Sequence, residues 1–243
     1  MLVDNTFLFL SIPRTSTYSF LFACGKCGLD VKHLNSEYNS NFSKIDWNQT
    51  NDILLKNVDH RHETLVELEK KFGKNYEIIS IKRNPYERFL SMWKFVIDKL
   101  YYVGEDEIAD ILARMDSYSV FDFRPRLLDS IAEYNSEFII KFKEKYNLIP
   151  KYNSTAVDNS IRLVYTPPSM YHNHDDRIIW FDFNKLYELE EWVSNKLNID
   201  FKLENTNTSK HINCNLKLDN TFIERYNHYY LKYELQKQQK TIL

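Results

Sequence analysis

Glycine and cysteine are scarce in this chain of 243 residues, which contains 4 Gly, 3 Cys and 6 Pro. The glycine-rich phosphate loop of kinases, G-x-x-x-x-G-K-S/T, is absent, which argues against a P-loop phosphotransferase. No stretch approaches the roughly 20 consecutive apolar residues of a membrane span. The formal net charge of −2 gives no indication of global electrostatic steering toward nucleic acid, so we expect any anion site to be local.

The sequence also predicts no secretory leader. The apolar run at residues 7–10 is too short for the hydrophobic region of a secretory signal, and no basic segment precedes it. These absences predict a soluble, cytoplasmic protein or a trimmed catalytic domain. Because 43% of the residues are hydrophobic and no linker or repeat interrupts the chain, we expect a single domain over residues 1–243.

Apolar, strand-like runs alternate with helical patterns along the chain. Strands are predicted at residues 7–12, 77–82 and 177–183, and helices at 16–27, 63–72, 85–101, 105–115, 127–146, 187–197 and 222–236. This alternation favours an α/β fold with three layers, in which helices flank both faces of a mostly parallel central sheet.

The first predicted strand leads into a turn rich in hydroxyl groups, where residues 12–20 have the sequence IPRTSTYSF. A helix N-terminus after a strand binds anions, because its backbone N–H groups and its dipole favour negative charge. The candidate binding residues are Arg14, Thr15, Ser16, Thr17, Tyr18 and Ser19. Because this turn contains no glycine, we expect it to avoid positive φ angles.

A second strand and helix follow, with the sequence RNPYERFLS at residues 83–91. Asn84 is a favourable N-cap and Pro85 suits the first helical position. Arg83 is therefore predicted at the carboxyl end of a parallel strand, where open α/β sheets bind ligands. Ser91 lies about two turns into the helix and is predicted to contact the same ligand.

Together these two motifs resemble those of the PAPS-dependent sulfotransferases. Residues 12–20 follow the family's phosphosulfate loop, I/V-P-K-T-x-x-T-S-F, and residues 83–91 match its 3′-phosphate motif, R-N/D-P-x-E-R-x-x-S. The resemblance implies a P-loop NTPase-like fold and 3′-phosphoadenosine 5′-phosphosulfate (PAPS) as the sulfuryl donor, with adenosine 3′,5′-bisphosphate as the product and no metal. It assigns the phosphosulfate to residues 14–19, and the 3′-phosphate to Arg83 and Ser91.

Arg14 stands where the family has a lysine. By the resemblance it is a catalytic residue that stabilises negative charge on the sulfuryl group and the leaving phosphate, although arginine does not readily give up a proton. Weaker similarities to the family at residues 177–186 and 207–209 extend the resemblance over most of the chain.

A His-x-His sequence, His60 and His62, precedes Arg83, and His62 lies 21 residues before it. The uronyl 2-O-sulfotransferases, which act on heparan and chondroitin, carry His-x-His at a similar distance before their 3′-phosphate motif. By this resemblance His62 is the catalytic base, His60 is its neighbour in the site, and the acceptor is a hydroxyl on a glycan. The residues alone leave two surface histidines or half of a metal site as alternatives. The wider sulfotransferase family often uses a carboxylate as its base, and by that resemblance Asp59 and Glu63 are alternative bases.

The cysteines offer a weaker hypothesis. Cys24 and Cys27 form a C-x-x-C pair, which His211 and Cys214 could complete as a zinc site, but the sequence lacks the context of a zinc knuckle. Two rival functions also stay open, a P-loop phosphotransferase and a non-catalytic nucleotide-binding protein. The acceptor could equally be a lipid, a phenol or a peptide tyrosine.

Overall fold

The computed structural model describes residues 1–34, 62–102, 104–122, 145–146, 163–204 and 212–241, with side chains up to residue 231 in the last range. The chain divides into two compact units. Unit one consists of Met1–Arg83 and Pro168–Thr208, and unit two consists of Asn84–Pro167 and Ser209–Leu243. Both predicted cofactor motifs begin in unit one, because the second motif starts at Arg83.

Unit one is built on a five-stranded sheet. Its strands are β1 (Leu2–Val3), β2 (Phe7–Leu10), β3 (Val31–Lys32), β4 (Glu77–Lys82) and β5 (Ile178–Asp182). They lie in the order β3-β1-β2-β4-β5, and β2, β4 and β5 are parallel, whereas β1 is antiparallel to β2 and β3. The three predicted strands are confirmed, but the sheet is mixed because of the two short strands that the sequence did not predict.

The parallel strands have their carboxyl ends on the same side of the sheet. Leu10, the last residue of β2, is paired with Ser80 of β4, and the Ser80 hydroxyl donates to the Leu10 carbonyl at 2.8 Å. Further along, Lys82 of β4 is paired with Asp182 of β5. The segments that leave β2 and β4 therefore emerge at the same edge of the sheet, which is the usual ligand-binding edge of an open α/β sheet.

Helices cover both faces of this sheet. In unit one they are α1 (Thr17–Lys26), α2 (Leu65–Phe72), α5 (Ser169–His172) and α6 (Leu186–Leu197). Phe7 and Phe9 face α1 and α6, and the ring of Phe9 stacks on Phe20 with centroids 3.9 Å apart. Leu8 and Leu10 alternate to the other face and pack against α2. Burial of each such side chain contributes about 1.5–3 kcal/mol, so β2 is fixed in register by both layers.

The start of α2 is fixed by a capping box. Thr64 Oγ1 accepts from the backbone N–H of Glu67, and the Glu67 carboxylate accepts from the backbone N–H of Thr64 at 2.7 Å. The predicted helix at 63–72 is confirmed. Its cap also fixes the backbone that follows His62, because Thr64 lies only two residues further along the chain.

Unit two is helical in its described residues, with α3 (Pro85–Tyr102), α4 (Asp106–Arg114) and α7 (Asn220–Thr241). The Asn84 side chain caps α3, as predicted, and accepts from the N–H groups of Tyr86 and Glu87 at 3.0 and 3.3 Å. The core is strongly aromatic and contains Phe89, Trp93, Phe121, Tyr165 and Phe222. The helices predicted at 85–101, 105–115, 187–197 and 222–236 are confirmed, with small differences at their ends.

Some predictions concern residues outside the described ranges, among them nearly all of the helix at 127–146, the segment 207–209, and His60 with Asp59. The single domain stays a prediction. Within the described part of the chain, every helix is too short or too polar to cross a lipid bilayer.

Candidate functional site

The loop between β2 and α1 adopts a backbone that the sequence did not predict. Arg14 has φ 63° and Ser16 has φ 61°, both in the left-handed region. The expectation that a loop without glycine avoids positive φ is therefore wrong. Left-handed residues direct nearby backbone N–H groups toward one side and form concavities that bind anions. Each left-handed non-glycine residue costs about 1–2 kcal/mol, so surrounding bonds must hold this geometry.

Two threonine hydroxyls supply such bonds. Thr15 is 1% exposed, and its Oγ1 donates to the Ile12 carbonyl at 2.8 Å. Thr17 Oγ1 lies 3.4 Å from the same carbonyl and 2.8 Å from Ser11 Oγ. Both hydroxyls, predicted as ligand donors, thus have partners within the loop. Ser16 is the N-cap of α1 and makes no capping hydrogen bond with its side chain in the described residues, so its hydroxyl does not close the helix N-terminus.

The first turn of α1 completes the predicted cradle. Tyr18 is half-buried and Ser19 is buried, while Arg14 is half-buried at the start of the turn. The first turn of an α-helix carries backbone N–H groups without partners in the helix, and the helix dipole adds positive potential there. All six predicted phosphosulfate residues therefore lie in one short segment of unit one, between β2 and the first turn of α1.

Arg83 joins the second motif to this loop. Its Nη1 donates to the carbonyl of Arg14 at 3.3 Å, and its guanidinium lies 4.2 Å from the centroid of the Phe183 ring. Phe183 directly follows β5. The Arg83 guanidinium, which follows β4, therefore contacts the segments that leave the two neighbouring strands, β2 and β5. The predicted position of Arg83 at the carboxyl end of β4 is confirmed, and its guanidinium contacts the backbone of Arg14 in the loop that follows β2.

His62 also reaches the loop. Its Nδ1 lies 3.0 Å from Ser11 Oγ and 3.1 Å from the Ser11 carbonyl oxygen. Its ring meets the ring of Tyr171 edge-on, with centroids 6.2 Å apart. The structure therefore brings the predicted base to the residue that directly precedes the phosphosulfate motif. Sequence reasoning missed Ser11, since only the approach of His62 from 51 residues away gives this serine a role.

Glu63, the alternative base, has structural partners instead. Its Oε1 accepts from the backbone N–H of Leu34 at 2.7 Å, and its Oε2 lies 3.6 Å from the Met1 amino group. Burial lowers the pKa of that amino group to about 6, against the opposing effect of Glu63. These contacts fix the residue next to His62 and make Glu63 a weaker choice of base.

His33 is buried near the same amino group. Burial, with the positive charges of the Met1 amino group and Lys71, lowers the pKa of His33 to about 3. The Lys71 Nζ donates to the His33 carbonyl at 2.8 Å. His33 is therefore neutral at physiological pH, and we assign it a structural role in the fold.

Ser91 lies on α3 in unit two and stays a predicted 3′-phosphate ligand. Arg88, one turn before it, is 1% exposed, and its Nη2 donates to the Thr166 carbonyl at 2.8 Å. No carboxylate of the described residues lies within ion-pair distance of Arg88. The second arginine of the motif thus bonds to backbone inside unit two.

The cysteines are free thiols in the structure. Burial raises the pKa of the Cys24 thiol well above its usual value, and it raises the pKa of Cys27 and Cys214 as well. A low pKa is what makes a cysteine reactive, so these three are poor nucleophiles. Among the residues that the structure describes, no three His, Cys, Asp or Glu side chains are grouped as metal ligands.

Neither a scan against protein-family models nor searches of curated proteins and of solved structures found a match for this chain. The resemblance to sulfotransferases therefore stays a prediction from the sequence, chiefly from residues 12–20 and 83–91.

Proposed function

We propose that this chain is a PAPS-dependent O-sulfotransferase with a P-loop-like α/β fold, which transfers a sulfuryl group to a hydroxyl on a carbohydrate. The observation that carries the proposal is the convergence of three separate sequence features in unit one. The loop at residues 14–19, Arg83 and His62 come together through the contacts of Arg83 with Arg14 and of His62 with Ser11.

The chemistry of the site fits the donor, which carries a phosphosulfate at one end and a phosphate at the other. The left-handed residues Arg14 and Ser16 and the N-terminus of α1 provide backbone N–H groups for the phosphosulfate. Arg83, with Ser91 as its predicted partner, would hold the 3′-phosphate. PAPS supplies a sulfuryl group whose bond to the 5′-phosphate oxygen breaks on transfer, which leaves adenosine 3′,5′-bisphosphate.

The side chains have distinct tasks in this proposal. His62 accepts the proton of the acceptor hydroxyl as that oxygen bonds to sulfur, and imidazole suits this task because its pKa is close to neutral. Arg14 stabilises the negative charge that develops on the bridging oxygen. Since arginine retains its proton, the leaving group departs as an anion stabilised by hydrogen bonds, and no residue needs to protonate it.

Incubation of the full chain with PAPS radiolabelled in the sulfuryl group tests the proposal. The acceptor panel should include uronic-acid-containing glycans, neutral sugars, a phenol, a lipid alcohol and a tyrosine peptide. We expect the label on a glycan, and loss of the transfer in His62→Gln. Label on another acceptor would support sulfuryl transfer but refute a carbohydrate as the acceptor.

Two outcomes would replace the proposal. Phosphoryl transfer from ATP that requires Mg²⁺ would identify a phosphotransferase. Tight binding of adenosine 3′,5′-bisphosphate, without transfer to any acceptor, would identify a non-catalytic nucleotide-binding protein.

A further inference from the structure

We propose that Ser11, which lies outside both cofactor motifs, is a positioning residue that holds the imidazole of His62 with its proton on Nδ1. The lone pair of the neutral ring then lies on Nε2, which becomes the atom that accepts the proton of the acceptor hydroxyl. The catalytic part of this inference rests on the proposed function, whereas the arrangement of protons does not.

The position of the proton follows from the partners of Nδ1. The carbonyl oxygen of Ser11, at 3.1 Å, can only accept a hydrogen bond. If Nδ1 carried a lone pair, it would face the lone pairs of that oxygen. The contact is favourable only when Nδ1 carries a proton, and the Ser11 hydroxyl oxygen, at 3.0 Å, then accepts from the same N–H.

The neighbouring hydroxyls agree with this direction. Ser11 Oγ lies 2.8 Å from Thr17 Oγ1, and Thr17 Oγ1 lies 3.4 Å from the Ile12 carbonyl, which again can only accept. Each hydroxyl has one proton to donate. Thr17 therefore donates to Ile12, Ser11 donates to Thr17, and His62 donates to Ser11. With the proton on Nε2 instead, Ser11 would donate to His62, and its bond to Thr17 could form only if Thr17 gave up the Ile12 carbonyl.

Burial makes this arrangement specific, since Ser11 is 6% exposed and Thr17 is 5% exposed. Water cannot readily replace a lost partner at such positions, and a buried polar group without a hydrogen-bond partner lowers the stability of the fold. The same chain of hydrogen bonds passes through Thr17, the first residue of α1, and ends at the Ile12 carbonyl, so the orientation of the base is linked to the donor loop. When His62 gains a proton during turnover, the Ser11 carbonyl and hydroxyl stabilise the imidazolium through Nδ1.

Nitrogen NMR of the full chain, labelled with ¹⁵N at histidine, tests the inference directly. His62→Gln assigns the His62 signals. At a pH above its pKa, we expect His62 Nδ1 to have the chemical shift of a protonated ring nitrogen and Nε2 that of an unprotonated one. In Ser11→Ala the carbonyl of residue 11 still accepts from Nδ1 but the hydroxyl is lost, so the two shifts should move part of the way toward each other. The pKa of His62 should fall, because the imidazolium loses one of its two acceptors.

Ser80→Ala is the matched control, because it also removes a buried serine hydroxyl that donates to a backbone carbonyl of unit one. Its His62 signals should equal those of the wild type. In sulfuryl transfer, Ser11→Ala should lower kcat about 10-fold, with the KM for PAPS unchanged and the acidic limb of the pH profile shifted to lower pH. Ser11→Thr, which keeps the hydroxyl, should recover most of kcat.

Failure of the inference and failure of the proposed function give different results. A proton on Nε2 in the wild type, or His62 signals that Ser11→Ala leaves unchanged, would overturn the inference even if sulfuryl transfer is observed. The expected tautomer, with a partial shift toward the other tautomer in Ser11→Ala, would support the assigned proton arrangement even if no acceptor is sulfated, in which case the proposed function fails alone.

Discussion

Replacement of Arg83 by alanine removes two contacts from the edge of the sheet at once. The hydrogen bond from Nη1 to the Arg14 carbonyl, at 3.3 Å, has a charged donor and contributes about 1.5–3 kcal/mol. The stacking of the guanidinium on Phe183, at 4.2 Å, contributes about 0.5–2 kcal/mol. Both contacts stabilise the loop before any ligand is present.

The same side chain is proposed to contact the 3′-phosphate. Loss of one charge-assisted contact of about 1.5–3 kcal/mol raises a Kd about 10- to 150-fold. A loosened loop adds to that loss, so we expect Arg83→Ala to weaken the binding of adenosine 3′,5′-bisphosphate by about 100-fold or more. Arg83→Lys keeps the charge but loses the planar fork, and we expect a weakening of about 10-fold.

Isothermal titration calorimetry with the bisphosphate measures these constants. Arg225→Ala is a suitable control, because Arg225 also has a hydrogen-bond partner, the Asp122 carboxylate at 2.7 Å, and a ring partner, Tyr118 at 4.0 Å, but lies in unit two. Its Kd should equal that of the wild type. If Arg83→Ala binds the bisphosphate within about threefold of the wild type, the assignment of Arg83 to the donor site is refuted.

Three further predictions concern the catalytic base, the backbone of the loop and the pH dependence of stability. His62→Gln should lower kcat about 10²- to 10⁴-fold and leave the Kd of the bisphosphate unchanged, as single-turnover and calorimetric measurements can show. Ser16→Gly should raise the free energy of unfolding in urea by up to about 1 kcal/mol, because glycine adopts φ 61° without strain. Ser16→Val should lower it by about 1–2 kcal/mol, because a branched side chain resists that angle. The pKa of His33 falls from 6.5 in the unfolded chain to about 3 in the fold, so the unfolded state takes up a proton first as the pH falls. Stability should therefore decrease by about 1.4 kcal/mol per pH unit between about pH 6.5 and 3, and this slope should be smaller in His33→Gln.

Each of these predictions has a contrary outcome. Full turnover in His62→Gln would require a different base. Equal stability of Ser16→Gly and Ser16→Val would mean that residue 16 does not adopt the left-handed conformation. An unchanged dependence on pH in His33→Gln would assign the acid sensitivity between about pH 6.5 and 3 to other groups.

The parts of the fold that the sequence predicts are those with a repeating pattern or a cap. The β-branched residues of β4 and the Asn84–Pro85 start of α3 were sufficient for both elements. Strands β1 and β3 have two residues each, which is too few for an alternating pattern. Their pairing depends on the neighbouring backbone, so the mixed character of the sheet could not be predicted.

The candidate site divides in the same way. Arg83 was predictable because its position follows from the strand and cap around it. The left-handed angles of Arg14 and Ser16 were not, since neither residue type favours positive φ and the surrounding hydrogen bonds impose it. Ser11 is a common residue in an ordinary position, and its contact with His62 exists only in the folded chain.

The bond between Arg83 and the Arg14 carbonyl has a consequence for the kinetics of ligand association. It joins the segments that would receive the two ends of the donor, and it forms when the chain folds. The rotational freedom of the Arg83 side chain is therefore lost in folding rather than in the encounter with the ligand. A site ordered in advance binds in one kinetic step, so the observed association rate should rise linearly with ligand concentration, without the plateau that a slow rearrangement of the loop would impose.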